Sequence, residues 1–127
     1  VIFVDTNVFM YAVGREHPLR APAADFFVEA VAQHRELCTS AEVLQELLHA
    51  YLPVSRMQTL AAAFELATRT CSEVWSVEPE DVHAAHGLVE RHPGLGARDL
   101  LHLACCQRRG VSDIKTYDRA LAASMSG

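Results

Sequence analysis

Val1-Ile2-Phe3-Val4 is an unbroken apolar run, the pattern of a strand buried on both faces of a parallel sheet. Asp5 ends it. Thr6 to Val13 then reads as a short helix closed by Gly14, with Asp5 or Asn7 near its start. Beyond Pro18, the apolar residues Ala23, Phe26, Phe27, Ala30 and Val31 recur at helical spacing, which predicts a second helix running to about His34. Leu37-Cys38-Thr39 is the next strand candidate. Thr39-Ser40-Ala41-Glu42 matches a capping box, in which Thr39 and Glu42 satisfy each other's free backbone donors, and it opens a helix carrying Val43, Leu44, Leu47, Leu48 and Tyr51.

Pro53 breaks that pattern, and Met57, Leu60, Ala61, Phe64 and Leu66 mark an amphipathic helix that ends before Cys71. Val74-Trp75-Ser76-Val77 reads as a third strand, and Pro79 with Glu80 and Asp81 begins a helix through Val82, Ala85, Leu88 and Val89. His92-Pro93-Gly94-Leu95-Gly96 has the chemistry of a loop. Ala97 to Cys106 reads as a largely buried helix stopped by Gly110, Ile114 to Tyr117 as the last strand, and Asp118 as the lead into a terminal helix or turn. Strands separated by helices predict an α/β fold in three layers, α/β/α, around a mainly parallel sheet of about four or five strands. Residues 1–127 are expected to form a single domain.

Composition narrows the class. A chain of 127 residues with 50% hydrophobic and 21% charged residues is ordinary for one globular domain that needs no disulfide or structural metal. No apolar run approaches the ~18 residues of a membrane span, and the first residues do not resemble a secretory leader, so a soluble cytoplasmic protein without a membrane partner is expected. Cys38, Cys71, Cys105 and Cys106 contain no Cys-x-x-Cys spacing and read as reduced thiols. His83 and His86 lack a second ligand pair for zinc. The net charge of −5 argues against nonspecific grip on duplex DNA, while Arg98, Arg108, Arg109, Lys115 and Arg119 allow a local basic rim.

In such a sheet ligands bind beyond the carboxyl ends of the strands, so the residues just after each strand carry the chemistry. Asp5 follows the first strand and Asp118 the last. Glu46 stands one turn beyond Glu42 on the helix that rises after strand two, and Asp99 begins the most apolar helix directly after the Gly-rich loop. Each has an ordinary use: Asp5 or Asp99 as a helix cap, Glu46 as an exposed helix residue, Asp118 as a turn residue. Four acids on one rim nevertheless repel unless a cation compensates them. Their oxygens suit Mg²⁺ or Mn²⁺, which activates water and steadies a phosphate in phosphodiester hydrolysis. No Gly-x-Ser-x-Gly, Walker loop or Gly-x-Gly-x-x-Gly offers a competing site.

Four ordered blocks, Val-Asp-Thr-Asn-Val-Phe (4–9), Thr-Ser-x₅-Glu-Leu (39–47), Ala-Arg-Asp-Leu-Leu-His-Leu-Ala (97–104) and Thr-Tyr-Asp-Arg (116–119), resemble those of PIN-domain ribonucleases, most closely the VapC-type toxins of toxin–antitoxin pairs. The resemblance spans nearly the whole chain. It implies a PIN-like fold and a catalytic, metal-binding quartet of Asp5, Glu46, Asp99 and Asp118 that holds Mg²⁺ or Mn²⁺, with water as nucleophile and RNA as substrate. It also implies supporting roles for Asn7 and Thr116, a cognate antitoxin and a homodimer. Leu121 stands where relatives often have Phe. Asp113, on the far side of the last strand, is left out of the quartet, and Glu42 is left as a cap. RNA grip would fall to Arg98, Arg108, Arg109 and Arg119. Partner surfaces would come from exposed residues of 54–70 and the apolar face of the first helices, including Phe9 and Tyr11. The alternative is a catalytically inactive module of the same fold that holds a protein or RNA partner. Receiver-like and dehalogenase-like phosphatase sites fit less well, since neither a second acid nor Asp-x-Asp stands at the first strand and position 7 is Asn.

Overall fold

The computed structural model describes residues 1–125 and seats β1 (Ile2–Val4) between β2 (Leu37–Ser40) and β4 (Asp113–Lys115), with all pairings parallel. β3 (Cys71–Trp75) pairs in parallel with the outer side of β2, giving the strand order β3-β2-β1-β4. The central position explains the apolar start of the chain: Phe3 and Val4 are wholly buried, as a strand covered on both faces requires. Helices α1 (Thr6–Val13), α2 (Arg20–Ala32), α3 (Ala41–Tyr51) and α4 (Met57–Thr70) pack among themselves on one side. A second group is formed by α5 (Pro79–Gly87), α6 (Ala97–Arg108) and α7 (Arg119–Met125). The expected α/β layering is therefore present, with a sheet of four strands. No described helix is long and apolar enough to cross a membrane.

Chain reversal fixes the ends of the helices. Gly14 closes α1 where a Cβ would meet the Met10 carbonyl oxygen at 2.6 Å, and Gly110 follows α6 at φ 69°, a left-handed conformation that favours glycine. The four cysteines are free thiols, as expected, and burial pushes Cys38 up to about 12 and Cys71 and Cys105 up to about 11, so they stay protonated.

Several expectations are displaced by pairing between distant segments. The expected capping box does not form: β2 continues through Ser40, whose Oγ accepts the Val43 N–H, while the Thr39 hydroxyl donates across the sheet to the Val4 carbonyl at 2.9 Å. A reciprocal box forms instead at the start of α5, between Glu78 and Asp81. β3 begins three residues before the apolar run that suggested it, because α4 runs directly into it and an edge strand needs no buried faces; Ser72, Glu73 and Val74 are exposed. β4 starts at Asp113 and ends at Lys115, which frees Thr116 and Tyr117 to leave the sheet. α5 stops at Gly87, short of the expected Val89. Phe9, expected as a partner surface, is wholly buried against Phe27 at 5.2 Å between ring centroids.

Arg108 and Arg109, expected to grip RNA, converge instead on the wholly buried Asp81. They lie at the C-terminal end of α6, and Asp99 lies in its first turn, so the two groups are separated by most of the helix. Arg109 also stacks over Trp75 at 5.0 Å and donates to the Ser76 carbonyl. The Arg109 hydrogen bonds, against burial and with help from the Glu78 N–H and Arg108, hold the Asp81 carboxyl well below the usual carboxylate range. Asp81→Asn should therefore cost about 2–3 kcal/mol, less than a fully buried pair because both arginines reach solvent. The contribution of Asp81 is complete above about pH 4, where the unfolded carboxyl is ionised, and is lost as the pH falls toward the depressed folded value. Urea denaturation of the two proteins across acidic pH should show their stabilities converging as the pH drops.

Candidate active site

The short turn after β1 carries the first acid of the site. Asp5 caps α1, its Oδ1 accepting the Thr6 N–H at 2.7 Å, so the ordinary use expected of this residue is present and does not remove it from the rim. Its other oxygen accepts the Thr116 hydroxyl at 2.6 Å. Thr116 leaves the end of β4, next to β1, and is held in turn by the Asn7 side-chain amide at 3.3 Å. Asn7 Oδ1 accepts the Tyr117 N–H at 3.1 Å, so Asn7 and Thr116 stitch the carboxyl ends of β1 and β4 together.

Glu46 is buried on the second turn of α3 and faces this rim rather than solvent. The Thr6 hydroxyl donates to its Oε2, and His102 Nε2 stands 3.0 Å from its Oε1 and 3.7 Å from Asp5 Oδ1. Asp99, in the first turn of α6, and Asp118, after β4, line the same cleft of about 570 Å³ with Asp5 and Glu46. Asp118 also caps α7 by accepting the Leu121 N–H at 3.0 Å, whereas Gly96, not Asp99, occupies the N-cap position of α6. All four expected acids thus meet at one cleft, and Arg98 and His49 stand on its wall. Asp113 opens β4 at the opposite end from Asp118, as expected.

Charge crowding leaves its mark on the titration of these groups. Burial raises the pKa of Asp5 against the opposing influence of His102, Thr116 and the Thr6 N–H. Burial and the neighbouring charges of Asp118 and Asp5 raise that of Asp99. Burial would also raise Glu46, but the hydrogen bond and charge of His102, with Thr6, outweigh it and hold Glu46 below its ordinary value. Glu42, freed from the expected cap, is half-buried and raised by burial and by Glu46.

His102 is the residue that the sequence pattern did not single out, because it sits amid Leu101, Leu103 and Ala104 and reads as core. The available signal was its spacing: three residues after Asp99 on one helix, it shares that residue's face. Asp5, Glu46 and His102 are, among the described residues, the one group of three metal-ligating types whose donor atoms lie within 4.8 Å of one another. The hydrogen on His102 decides how that group can work. Ligation through Nε2 would place the hydrogen on Nδ1, which is buried without a partner, and an unmatched buried donor costs about 1–3 kcal/mol. With the hydrogen on Nε2, the imidazole donates to Glu46. Burial opposes charging of His102, but Glu46, Asp5 and Asp99 outweigh it and raise its pKa; the charged form keeps the hydrogen on Nε2 that faces Glu46, leaves no lone pair for a metal, and carries a second hydrogen on the unpartnered Nδ1. The donor set that remains is carboxylate oxygen, which fits Mg²⁺ or Mn²⁺ better than zinc.

Comparison with known proteins identifies the family and the fold. A model of the PIN domain matches residues 2–124. Ribonuclease VapC23 of Mycobacterium tuberculosis is 60% identical over 124 residues, covering 98% of each chain. Ribonuclease VapC13 of the same organism is 34% identical over 119 residues, covering 94% of this chain and 91% of its own. Among solved structures, M. tuberculosis VapC20, a toxin that cleaves the sarcin-ricin loop, superimposes with a TM-score of 0.80 at 20% identity, over 98% of this chain and 95% of its own. VapBC2 of Rickettsia felis, bound to a fragment of promoter DNA, gives a TM-score of 0.70 at 16% identity, over 92% and 86%.

Because the folded pKa of Asp99 lies above its unfolded value, its ionised form destabilises the metal-free fold. That penalty is complete above the folded pKa and is relieved as the pH falls toward the ordinary carboxyl range. In EDTA at neutral pH, Asp99→Asn should therefore melt at a higher temperature than wild type, and the difference should shrink on acidification. Thermal denaturation monitored by circular dichroism checks both signs.

Proposed function

We propose that this chain, which belongs to the PIN-domain family as a VapC-type ribonuclease, uses Asp5, Glu46, Asp99 and Asp118 to hold Mg²⁺ or Mn²⁺ for hydrolysis of RNA phosphodiester bonds. The observation that carries this reading is the convergence of four carboxylates from four separate segments on one cleft. When bound, the ion lowers the pKa of a coordinated water and offsets the negative charge that develops on phosphate.

The chain's own residues supply position. The Thr6 N–H and the Thr116 hydroxyl hold both oxygens of Asp5, while the Thr6 hydroxyl and His102 hold those of Glu46. Neither inner carboxylate is free to rotate. Asp118 keeps one oxygen for the cleft while the other caps α7, and Arg98 on the cleft wall is placed to meet a phosphate oxygen. Asn7 acts one step further out, through Thr116. His102→Ala should weaken Mn²⁺ binding about 10–100-fold, the usual effect of losing a group that orients a ligand, as read by calorimetric titration.

The chain is proposed to work as a single cytoplasmic domain over residues 1–127, as the toxin of a VapBC pair, with a cognate antitoxin that silences it. A homodimer is supported by the apolar residues Leu48, Leu52, Val54 and Met57 around the α3–α4 turn, which are exposed to water in a single copy. Purified protein freed of any partner should cut total RNA with Mg²⁺ or Mn²⁺ and not with EDTA. Asp99→Asn should lose at least about 100-fold of that activity, the upper range for disturbing even an orienting partner. Folded protein that is equally inert with and without Asp99, with either ion and on all RNA classes, would remove the catalytic assignment.

A further inference from the structure

We propose that the pocket beside the acidic cleft, walled by Tyr11, His17, Arg15 and Arg56, binds the base and phosphate of an RNA nucleotide flanking the one that is cut. This rests on the ribonuclease reading above. The pocket encloses about 320 Å³ and shares Asn7 and Met10 with the acidic cleft, so the two concavities adjoin along α1. A strand whose scissile phosphate lies at the carboxylates therefore has this pocket within reach of a neighbouring nucleotide.

The walls have the chemistry that single-stranded RNA requires. Tyr11 is half-buried, with its ring edge-on to Tyr117 at 5.6 Å and tilted by 34° to His17 at 4.6 Å. His17 Nδ1 accepts the Leu19 N–H at 3.0 Å, which orients an exposed ring and leaves its Nε2–H as a donor. Bases released from a duplex stack on such rings and hydrogen-bond through their edges. Arg15 is exposed, and Arg56 is braced by its hydrogen bond to Thr59 at 3.3 Å. Glu16 is the one acid in the lining, whereas the adjoining cleft carries Asp5, Glu46, Asp99 and Asp118. In a chain of net charge −5, two arginines beside that cleft are placed for a phosphate, and the ring beside them distinguishes a nucleotide from an acidic peptide.

The test uses a fluorescein-labelled, mixed-sequence single-stranded RNA of about 12 nucleotides, long enough to cover both concavities. Its binding to Asp99→Asn protein, which leaves it intact, is followed by fluorescence anisotropy in Mg²⁺ across salt concentration. Adding Arg15→Ala or Arg56→Ala should weaken binding about tenfold and reduce the salt slope by about one, the signature of one lost phosphate contact. His17→Ala should weaken binding about fivefold with the slope unchanged, as loss of stacking requires. Arg15→Lys should keep the slope. Unchanged melting temperatures would separate these losses from unfolding. Unchanged affinity and slope in all three alanine variants, including the case where they weaken only antitoxin binding, would overturn the subsite and leave the ribonuclease reading intact. Wild type that binds the probe with the expected variant losses yet cuts no RNA with metal would support the pocket and strike the catalytic reading instead.

Discussion

Asp5 and Glu46 both reach toward one imidazole nitrogen, and two carboxylates tolerate so small a buried space only because every oxygen has a donor. Two like charges about 4 Å apart repel by about 4 kcal/mol at an effective dielectric constant of 20. His102, Thr6 and Thr116 oppose that repulsion for Asp5 and Glu46. Glu46 is held below its ordinary value by these partners, whereas burial still raises Asp5, and burial with the charges of Asp118 and Asp5 raises Asp99. The site is thus assembled in advance of any cation and is short of positive charge, a combination that favours a hard divalent ion over a rearranged metal-free form.

Holding those donors in register is the work of the fold beneath them. The His102 ring lies 5.5 Å from Phe3, Phe3 stacks on Trp75 at 5.4 Å, and Arg109 covers Trp75 before ending on Asp81. This row runs from the cleft toward the far end of α6. It packs the helix that carries Asp99 and His102 against the central strand that leads into Asp5, and it ties α5 to α6 through arginines that meet the buried Asp81. Arg108 and Arg109 therefore hold the fold, while Arg98 lines the acidic cleft and Arg15 and Arg56 line the next pocket.

Topology puts this cleft where a parallel sheet has room for it. From β1 the chain adds β2 and β3 on one side, then returns to add β4 on the other, so the connections diverge between β1 and β4. A crevice opens outside the carboxyl ends of the strands at such a divergence. Asp5, Thr116 and Asp118 stand at those ends, and Asn7 spans them. The pocket adjoins the cleft through Asn7 and Met10 because α1, which carries both, rises directly from β1.

The order of strands and helices, their α/β layering and the placement of Asp5 and Asp118 just after strands were legible in the sequence, because burial periodicity and glycine stops act over a few residues. Glu46 and Asp99 were legible from their places near the starts of helices at the same rim, and the resemblance added their expected role; the structure brings them to the same cleft. What depends on distant partners was not legible. Thr39 looked like a cap until β2 paired with β1 and turned its hydroxyl to Val4. Arg108 and Arg109 looked like free cations because Asp81 lies more than 25 residues away. The apolar neighbours of His102 concealed a polar task, since only folding brings Glu46, 56 residues away, within 3.0 Å of it. Local hydrogen bonding and hydrophobic periodicity therefore determined the elements and their acids, while charge pairing across the sheet, which only tertiary contact creates, decided which polar side chains build the site and which hold the fold.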